Sequence, residues 1–166
     1  MDSGRQKGGI NGSIYNKNCV QIFAYNSGDC SSEAIKLMNS VNSYRIARGL
    51  ASIPSNNCLC KTANAHTKQL NANQAQKQSW KDCKYNARNY QCMWNKPKEI
   101  CGYPNRGYEN WAWSTRSMTA TWALNQWKSL SGTNQMMING GHWNKKQFKG
   151  MGASVAGNQA VLWFGI

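Results

Sequence analysis

Acidic residues are scarce in this chain of 166 residues, which has six Asp and Glu against 20 Lys and Arg. Chemistry that needs two paired carboxylates therefore has few candidates. The formal net charge of +14 favours anionic partners such as nucleic acid, acidic glycans or lipid headgroups. The basic residues are spread along the chain, without the basic arm or basic helix typical of DNA-binding proteins, although the charge alone still permits nucleic-acid binding.

Long hydrophobic runs are also missing, and no stretch approaches the roughly 18 apolar residues that a membrane-spanning helix needs. The first residues, MDSGRQKGG, lack the hydrophobic region of a signal peptide. If the protein is secreted, we therefore expect this sequence to be a mature form from which the signal has been removed.

Cysteine, in contrast, is abundant, with seven residues at positions 19, 30, 58, 60, 83, 92 and 101. So many cysteines in a short chain favour disulfides and secretion, because a reducing compartment would keep them as thiols. A zinc ribbon would need a second close pair besides Cys58 and Cys60. The pairing cannot be read from the sequence, and the odd cysteine leaves open a free thiol or a disulfide-linked oligomer.

Hydrophobic periodicity and turn residues predict helices around a small antiparallel sheet, in an α+β or layered α/β/α architecture. Residues 1–30 are predicted to be an arm pinned by Cys19 and Cys30, and residues 31–166 to be one domain. Residues 76–107 have no clear period and are predicted to be a long loop braced by disulfides. The other predicted elements are a helix from Ser31 to Gly49, a helix over LCKTANAHTKQLNA, a helix from Ser117 to about Leu130 with Leu130 on its buried side, and strands at 150–156 and 159–165 around a Gly157-Asn158 turn. Core positions are predicted for Trp122, Trp127 and Trp163.

The candidate chemical residues are the two histidines, His66 and His142, and the acid Glu109. Two histidines and a carboxylate form a known zinc set with an open fourth position. His66 lies on the apolar face of the second predicted helix, however, where a histidine can equally be a core residue. The aromatic neighbours of Glu109 imply that its carboxylate is partly buried and needs a partner. No G-x-S-x-G motif supports a nucleophilic serine.

Five segments, taken together, resemble the CAP superfamily, which holds the cysteine-rich secretory proteins, insect venom allergens and plant pathogenesis-related proteins. They are NSYRIARGL, ANAHTKQL, GYENWAW, ALNQW and KGMGASVAGNQAVLWFG, and they follow one another in the family's order over about residues 33 to 165. By this resemblance His66 matches the histidine of the second helix, and Glu109 matches the glutamate of a G-E-N segment with Tyr108 inserted before it. The family's N-x-x-R-x-x-x-G-L pattern is met by Asn42, Arg45, Gly49 and Leu50.

Two departures affect the cleft that the resemblance implies. The second glutamate of animal and plant members, in a W-x-x-E helix, is Leu130 here. The second family histidine has two counterparts: Gly141-His142-Trp143 resembles a G-H-Y segment, whereas SGTNQMMIN resembles an S-x-G-H-x-x-x-I-L-N segment with Thr133 at the histidine. The implied cleft residues are therefore His66, Glu109, His142, Thr133 and Trp143, of which His66, Glu109 and His142 could hold Zn²⁺, although no cofactor is required.

The resemblance implies a three-layer α/β/α sandwich with a small antiparallel sheet and disulfide braces. It also implies a secreted, non-enzymatic binding protein for lipids or sterols, in defence or at a cell surface. The basic, Trp-rich composition adds anionic membrane or glycan surfaces to the expected partners. Two alternatives remain open. One is a metal-dependent hydrolase that uses His66, His142 and Glu109, and the other is a nucleic-acid binder driven by charge.

Overall fold

The computed structural model of the chain describes residues 28–74, 80, 82, 83 and 90–166. Cys19 and nearly all of the predicted arm lie outside these residues. The described elements in chain order are α1 (Ser32–Ile46), α2 (Asn57–Ala72), α3 (Tyr90–Trp94), α4 (Lys96–Cys101), β1 (Gly107–Trp113), α5 (Ala120–Ser129), α6 (Ser131–Met137), a 3₁₀ turn (Gly141–Trp143), β2 (Gly150–Ala156) and β3 (Gln159–Gly165). Among them, no helix has the length and apolar character needed to cross a membrane.

The three predicted helices form, and polar side chains fix where each begins. The Ser31 hydroxyl accepts a hydrogen bond from the backbone N–H of Ala34, and the Asn56 side chain does the same for the N–H of Leu59. The third predicted helix, which is α5 of the structure, starts three residues later than predicted because Thr119 is its N-cap. Capping residues of this kind satisfy N–H groups that have no partner inside the helix.

The predicted hairpin forms with the predicted bounds. Strands β2 and β3 pair in antiparallel register, with Ala156 opposite Gln159, across the two-residue turn. Gly157 has a φ of 56°, which a residue without a side chain adopts at little cost. Strand β1 pairs with the other side of β3, so the sheet has the order β1-β3-β2.

Side chains of β3 alternate between two layers of helices. Val161 and Trp163 pack in the cluster that contains the buried face of α2. Leu162 and Phe164 point to the opposite side, where they pack with buried residues of α1, α5 and α6. The central strand is thus covered on both faces, and the predicted three-layer α/β/α sandwich is confirmed.

Helix α2 lies very close to the sheet at Gly152. A Cβ atom added to this glycine would be 2.1 Å from the carbonyl carbon of Leu59 and 2.3 Å from the nitrogen of Cys60. Two turns further along α2, the hydroxyls of Thr67 and Ser154 lie 2.7 Å apart and link the same two elements. This close approach fixes the height of α2 above the sheet, and with it the position of the side chains that α2 presents there.

Disulfides pair all six described cysteines: Cys30–Cys60, Cys58–Cys101 and Cys83–Cys92. Two of these bonds tie the start of α2 to the segment before α1 and to the end of α4. Because they close loops with sequence separations of 30 and 43 residues, they restrict the unfolded chain more than the bond with a separation of 9 residues does.

Three predictions from the sequence are wrong. The predicted loop at residues 76–107 contains the short helices α3 and α4, and Pro97 lies in the first turn of α4, where a proline fits. Leu130 is 55% exposed, because α5 has ended at Ser129 and the chain turns there into α6. Trp122 is 38% exposed, whereas Trp127 and Trp163 are fully buried as predicted.

Candidate functional site

A cleft of about 710 Å³ opens beside β1, which is an edge strand of the sheet. Neighbouring residues of a strand point to opposite faces, so Tyr108 and Glu109 reach the cleft from two different layers. The cleft is lined by five aromatic residues, two methionines, three basic residues, one acid and one glycine: Tyr90, Trp94, Tyr108, Trp143, Trp163, Met93, Met136, Arg106, His142, Lys146, Glu109 and Gly132. Its volume lies in the range typical of small-molecule sites.

Four of the aromatic rings in the cleft form a continuous series. Tyr90 stacks on Trp94 with a centroid separation of 5.6 Å, Trp94 meets Tyr108 edge-on at 5.3 Å, and Tyr108 meets Trp143 edge-on at 5.0 Å. Contacts of this geometry hold each ring against the next. The wall of the cleft is therefore aromatic and pre-formed.

Two cations are held against this wall. The guanidinium carbon of Arg106 lies 5.3 Å from the ring centroid of Trp94, and Nζ of Lys146 lies 5.2 Å from that of Tyr108. These separations are within the range of cation–π attraction. Both residues line the cleft, so the aromatic wall has a positively charged border.

Glu109 supplies the acid of the cleft, and His66 lies behind it. The Glu109 side chain is 3% exposed, and its Oε1 is 2.7 Å from Nδ1 of His66, a short contact without hydrogen-bond alignment. The imidazole of His66 is fully buried and stacks on the indole of Trp80, with ring centroids 4.2 Å apart. The predicted burial of Glu109 beside a partner is confirmed.

Besides Oε1 of Glu109, which lies close to His66 without a hydrogen bond, two further buried polar atoms of cleft residues have no hydrogen-bond partner among the described residues. One is Oε2 of Glu109, an acceptor, and the other is Nε1 of Trp163, a donor. The two residues are direct neighbours across the β1–β3 pairing. Leaving such groups unpaired costs about 1–3 kcal/mol each. A group that both donates and accepts, such as a hydroxyl, has the chemistry to serve both atoms.

A buried ammonium also lies near Trp80. Nζ of Lys96 is 5.3 Å from a Trp80 ring centroid and forms ion pairs of 2.6 Å with Asp82 and 2.8 Å with Glu99. Burial lowers the pKa of Lys96, but the hydrogen bonds and charges of the two acids outweigh it, so the pKa is raised overall. The hydrogen bond to Lys96 lowers the pKa of Asp82 below its usual 3.8.

The lowered pKa of Asp82 predicts a pH dependence. A carboxyl whose pKa is lower in the folded state contributes stability above its unfolded pKa and loses that contribution as pH falls through the folded value. We therefore expect Asp82→Asn to give a small decrease in Tm near pH 7, because Asp82 is largely exposed, and no decrease at about pH 2. Thermal melts of both proteins at several pH values measure this, and an unchanged difference at about pH 2 would contradict it.

The structure brings three of the five predicted cleft residues to one cavity: Glu109, His142 and Trp143. His142 is exposed on the 3₁₀ turn, and its ring contacts that of Trp143. Thr133 is not among the lining residues, and its single hydroxyl proton is shared between the backbone carbonyls of Trp127 and Leu130. Of the two segments with a counterpart of the second family histidine, the one with His142 therefore places that residue in the cleft.

The predicted zinc set is not assembled. No group of three His, Cys, Asp or Glu side chains in the described part of the chain is arranged to hold a metal ion. The physical reason is that His66 is buried between Trp80 and Glu109, whereas His142 is on the exposed turn at the mouth of the cleft. The donor set therefore does not fit the metal centre that the resemblance implied.

Sequence reasoning missed Trp94, Arg106, Lys146 and Trp163 as cleft residues. Trp94 belongs to a helix inside a segment predicted as a loop, and Trp163 was assigned only to the core. The cations carry no motif, because they become cleft residues through their position over aromatic rings. Arg106 directly precedes β1, and Glu109 is the third residue of that strand. Their proximity in the sequence places both residues at the same end of the sheet, and this is the signal that could have identified Arg106.

No protein-family model and no curated protein matches this sequence. Solved structures do match its fold. An extracellular protein of Bacillus anthracis that contains an SCP domain superposes with a TM-score of 0.66 and 14% identity, over 86% of this chain and 44% of that chain. A cysteine-rich secretory protein of Staphylococcus aureus gives a TM-score of 0.58 and 12% identity, over 90% of this chain and 44% of that chain. An outer surface protein of Borrelia burgdorferi gives a TM-score of 0.60 and 14% identity, over 78% of this chain and 89% of that chain.

These likenesses define the fold. The chain has the CAP, or SCP, fold, as the five sequence segments had indicated. It spans less than half of the length of the Bacillus and Staphylococcus proteins and most of the length of the Borrelia protein. At identities of 12–14% the similarity shows the fold but does not identify a ligand.

Proposed function

We propose that this chain is a secreted, non-enzymatic binding protein that takes a hydroxyl-bearing lipid of the sterol class into the cleft beside β1. The observation that carries the proposal is the pair of unpartnered polar atoms, Oε2 of Glu109 and Nε1 of Trp163, in a cleft otherwise lined largely by aromatic and methionine side chains. The lipid hydroxyl would donate to the carboxylate and accept from the indole, and the apolar body would pack on the aromatic wall.

The remaining features of the chain support this proposal. Three disulfides are typical of proteins in oxidising compartments, and the structural neighbours are described as extracellular, secretory or outer surface proteins. The described lining residues include one carboxylate and no serine, threonine or cysteine, a set better suited to binding than to nucleophilic or paired-carboxylate catalysis. Arg106 and Lys146 at the border would contact lipid phosphates.

Flotation with vesicles tests the proposal. Neutral phosphatidylcholine vesicles with and without sterol are compared in high salt, where attraction to anionic surfaces is screened. We expect binding to the sterol-containing vesicles alone. Glu109→Gln is expected to weaken that binding by about tenfold or more, since a hydrogen bond to a charged group contributes about 1.5–3 kcal/mol.

Glu33→Gln is the matched control, because it makes the same chemical change at an exposed position in the first turn of α1. It should leave vesicle binding unchanged. Equal binding to vesicles with and without sterol, or equal losses in the two variants, would contradict the proposal.

An anionic glycan is the second candidate ligand, and the cations over Trp94 and Tyr108 favour it. Sugar rings can pack on aromatic faces while Arg106 and Lys146 contact sulfate or carboxylate groups. Binding to a sulfated polysaccharide that falls steeply with salt, together with no binding to sterol vesicles, would select this ligand class over a lipid.

A further inference from the structure

A second recess of about 530 Å³ lies at the hairpin end of the sheet, away from the Glu109 cleft. Its lining residues come from the end of α2, the end of β1 and the β2–β3 turn, and none of them carries a charge. They are one tryptophan, one threonine and four amides: Trp113, Thr115, Asn71, Gln74, Asn158 and Gln159. These six residues are neutral, whereas the chain as a whole has a net charge of +14.

The amides of this recess are held in place by the fold. Asn71 donates to the carbonyl of Ala156 at 2.9 Å and accepts from the N–H of Asn158 at 3.3 Å. Asn158 donates in turn to the carbonyl of Ser114 at 2.9 Å. Side chains with bonds of this kind lose little freedom when a ligand arrives, and so the recess is pre-organised.

The aromatic member is Trp113, which is half-buried at the end of β1. Two residues earlier on β1, Trp111 donates from Nε1 to Oε1 of the buried Gln159 at 2.7 Å and fixes that amide beside the recess. The recess therefore combines an indole surface with amide groups that can both donate and accept.

We propose that this recess binds a neutral saccharide. The C–H face of a pyranose ring packs on an indole, and its hydroxyls need partners that donate and accept in turn, which amide side chains do and charged groups do not. The absence of charge among the six lining residues disfavours anionic sugars, lipid headgroups and nucleic acid at this place. The inference is independent of the ligand assigned to the Glu109 cleft, since the two cavities share no lining residue.

Titration by NMR with neutral trisaccharides of glucose, mannose and N-acetylglucosamine tests the proposal. We expect at least one of them to bind with an affinity that does not change between low and high salt. Trp113→Ala should weaken that binding by about tenfold or more, because it removes the aromatic surface of the recess. Trp122→Ala is the matched control, since Trp122 is partly exposed on α5 and lines neither cavity.

Each outcome decides the matter. The proposal that the recess binds a saccharide is supported if Trp113→Ala weakens the binding. Trp122→Ala and Glu109→Gln must leave that binding intact. No binding of any of the three sugars at millimolar concentration overturns it, and so does binding that Trp113→Ala does not alter. Binding that is lost in Glu109→Gln would assign the sugar to the other cleft and would also overturn this proposal, so the tests of the two sites remain distinguishable.

Discussion

Gly152→Ala is expected to destabilise the folded chain by about 3 kcal/mol or more. The added Cβ would lie 2.1 Å from the carbonyl carbon of Leu59 and 2.3 Å from the nitrogen of Cys60, and both are backbone atoms that cannot rotate away. Helix α2 would have to lift from the sheet or the strand would have to bend. For a chain of this size the change corresponds to a decrease in Tm of about 6–12 °C.

Thermal or denaturant unfolding measures this effect, and Gly132→Ala provides the matched control. Gly132 lies in helix α6, and a Cβ added there meets nothing within 4 Å. Alanine at this position should leave stability unchanged or raise it slightly, because alanine is the better helix former. Equal unfolding midpoints for the two variants would contradict the close approach of α2 to β2.

Arg45→Met is expected to cost about 3 kcal/mol of stability, the second large effect. The guanidinium of Arg45 is buried and donates to the carbonyls of Ala51 and Met137 and to the side chain of Asn139, at distances of 3.0, 2.8 and 2.6 Å. Methionine keeps much of the apolar stem but leaves three acceptors without their donor. Burial lowers the pKa of Arg45 to about 10, so the donor is still protonated at neutral pH.

Arg48→Met is the control for this substitution, because Arg48 is exposed in the turn that directly follows the same helix. Its guanidinium lies over the ring of Tyr44 at 3.7 Å and makes one long hydrogen bond of 3.4 Å. We expect its loss to cost less than about 1 kcal/mol. A comparable loss of stability in the two variants, measured by denaturant unfolding, would show that Arg45 does not hold the loop after α1 to α6.

The N-x-x-R pattern of the first helix thus has a structural explanation. Asn42 pairs with both backbone groups of Ile53, at 2.9 and 2.8 Å, and Arg45 bonds to Ala51 two residues earlier. Both side chains fasten the same loop to α1. Sequence comparison could recognise the pattern, but it could not show that these polar residues are buried for this purpose.

Elements that depend on local signals could be predicted from the sequence. The hairpin has its predicted bounds because Gly157-Asn158 determines the turn and β3 is apolar on both sides. The end of α5 could not be predicted, since the periodic pattern continues to Leu130 while the chain turns there. The helices inside residues 90–101 were missed because each is shorter than two full turns and gives no period.

The candidate site could be predicted only in part, because only some of its residues carry a local sequence signal. Glu109 stood out as an acid among aromatics, and its contact with His66 follows from placing β1 and α2 in adjacent layers. The role of Trp163 depends on its position across from Glu109 in the sheet, a pairing of residues 54 positions apart that no local pattern specifies. The contact of Trp80 with His66 could not be predicted either, because Trp80 belongs to a segment without periodicity.

The most direct test of the proposed function compares a free sterol with its 3-methyl ether, which can accept a hydrogen bond but cannot donate one. Affinities of both ligands for the parent protein and for Glu109→Gln can be measured through tryptophan fluorescence in high salt. The proposal predicts that the parent prefers the free alcohol by about tenfold and that the variant loses this preference. Equal affinities of the parent for alcohol and ether, or an unchanged preference in Glu109→Gln, would contradict the assignment of the cleft to a lipid hydroxyl.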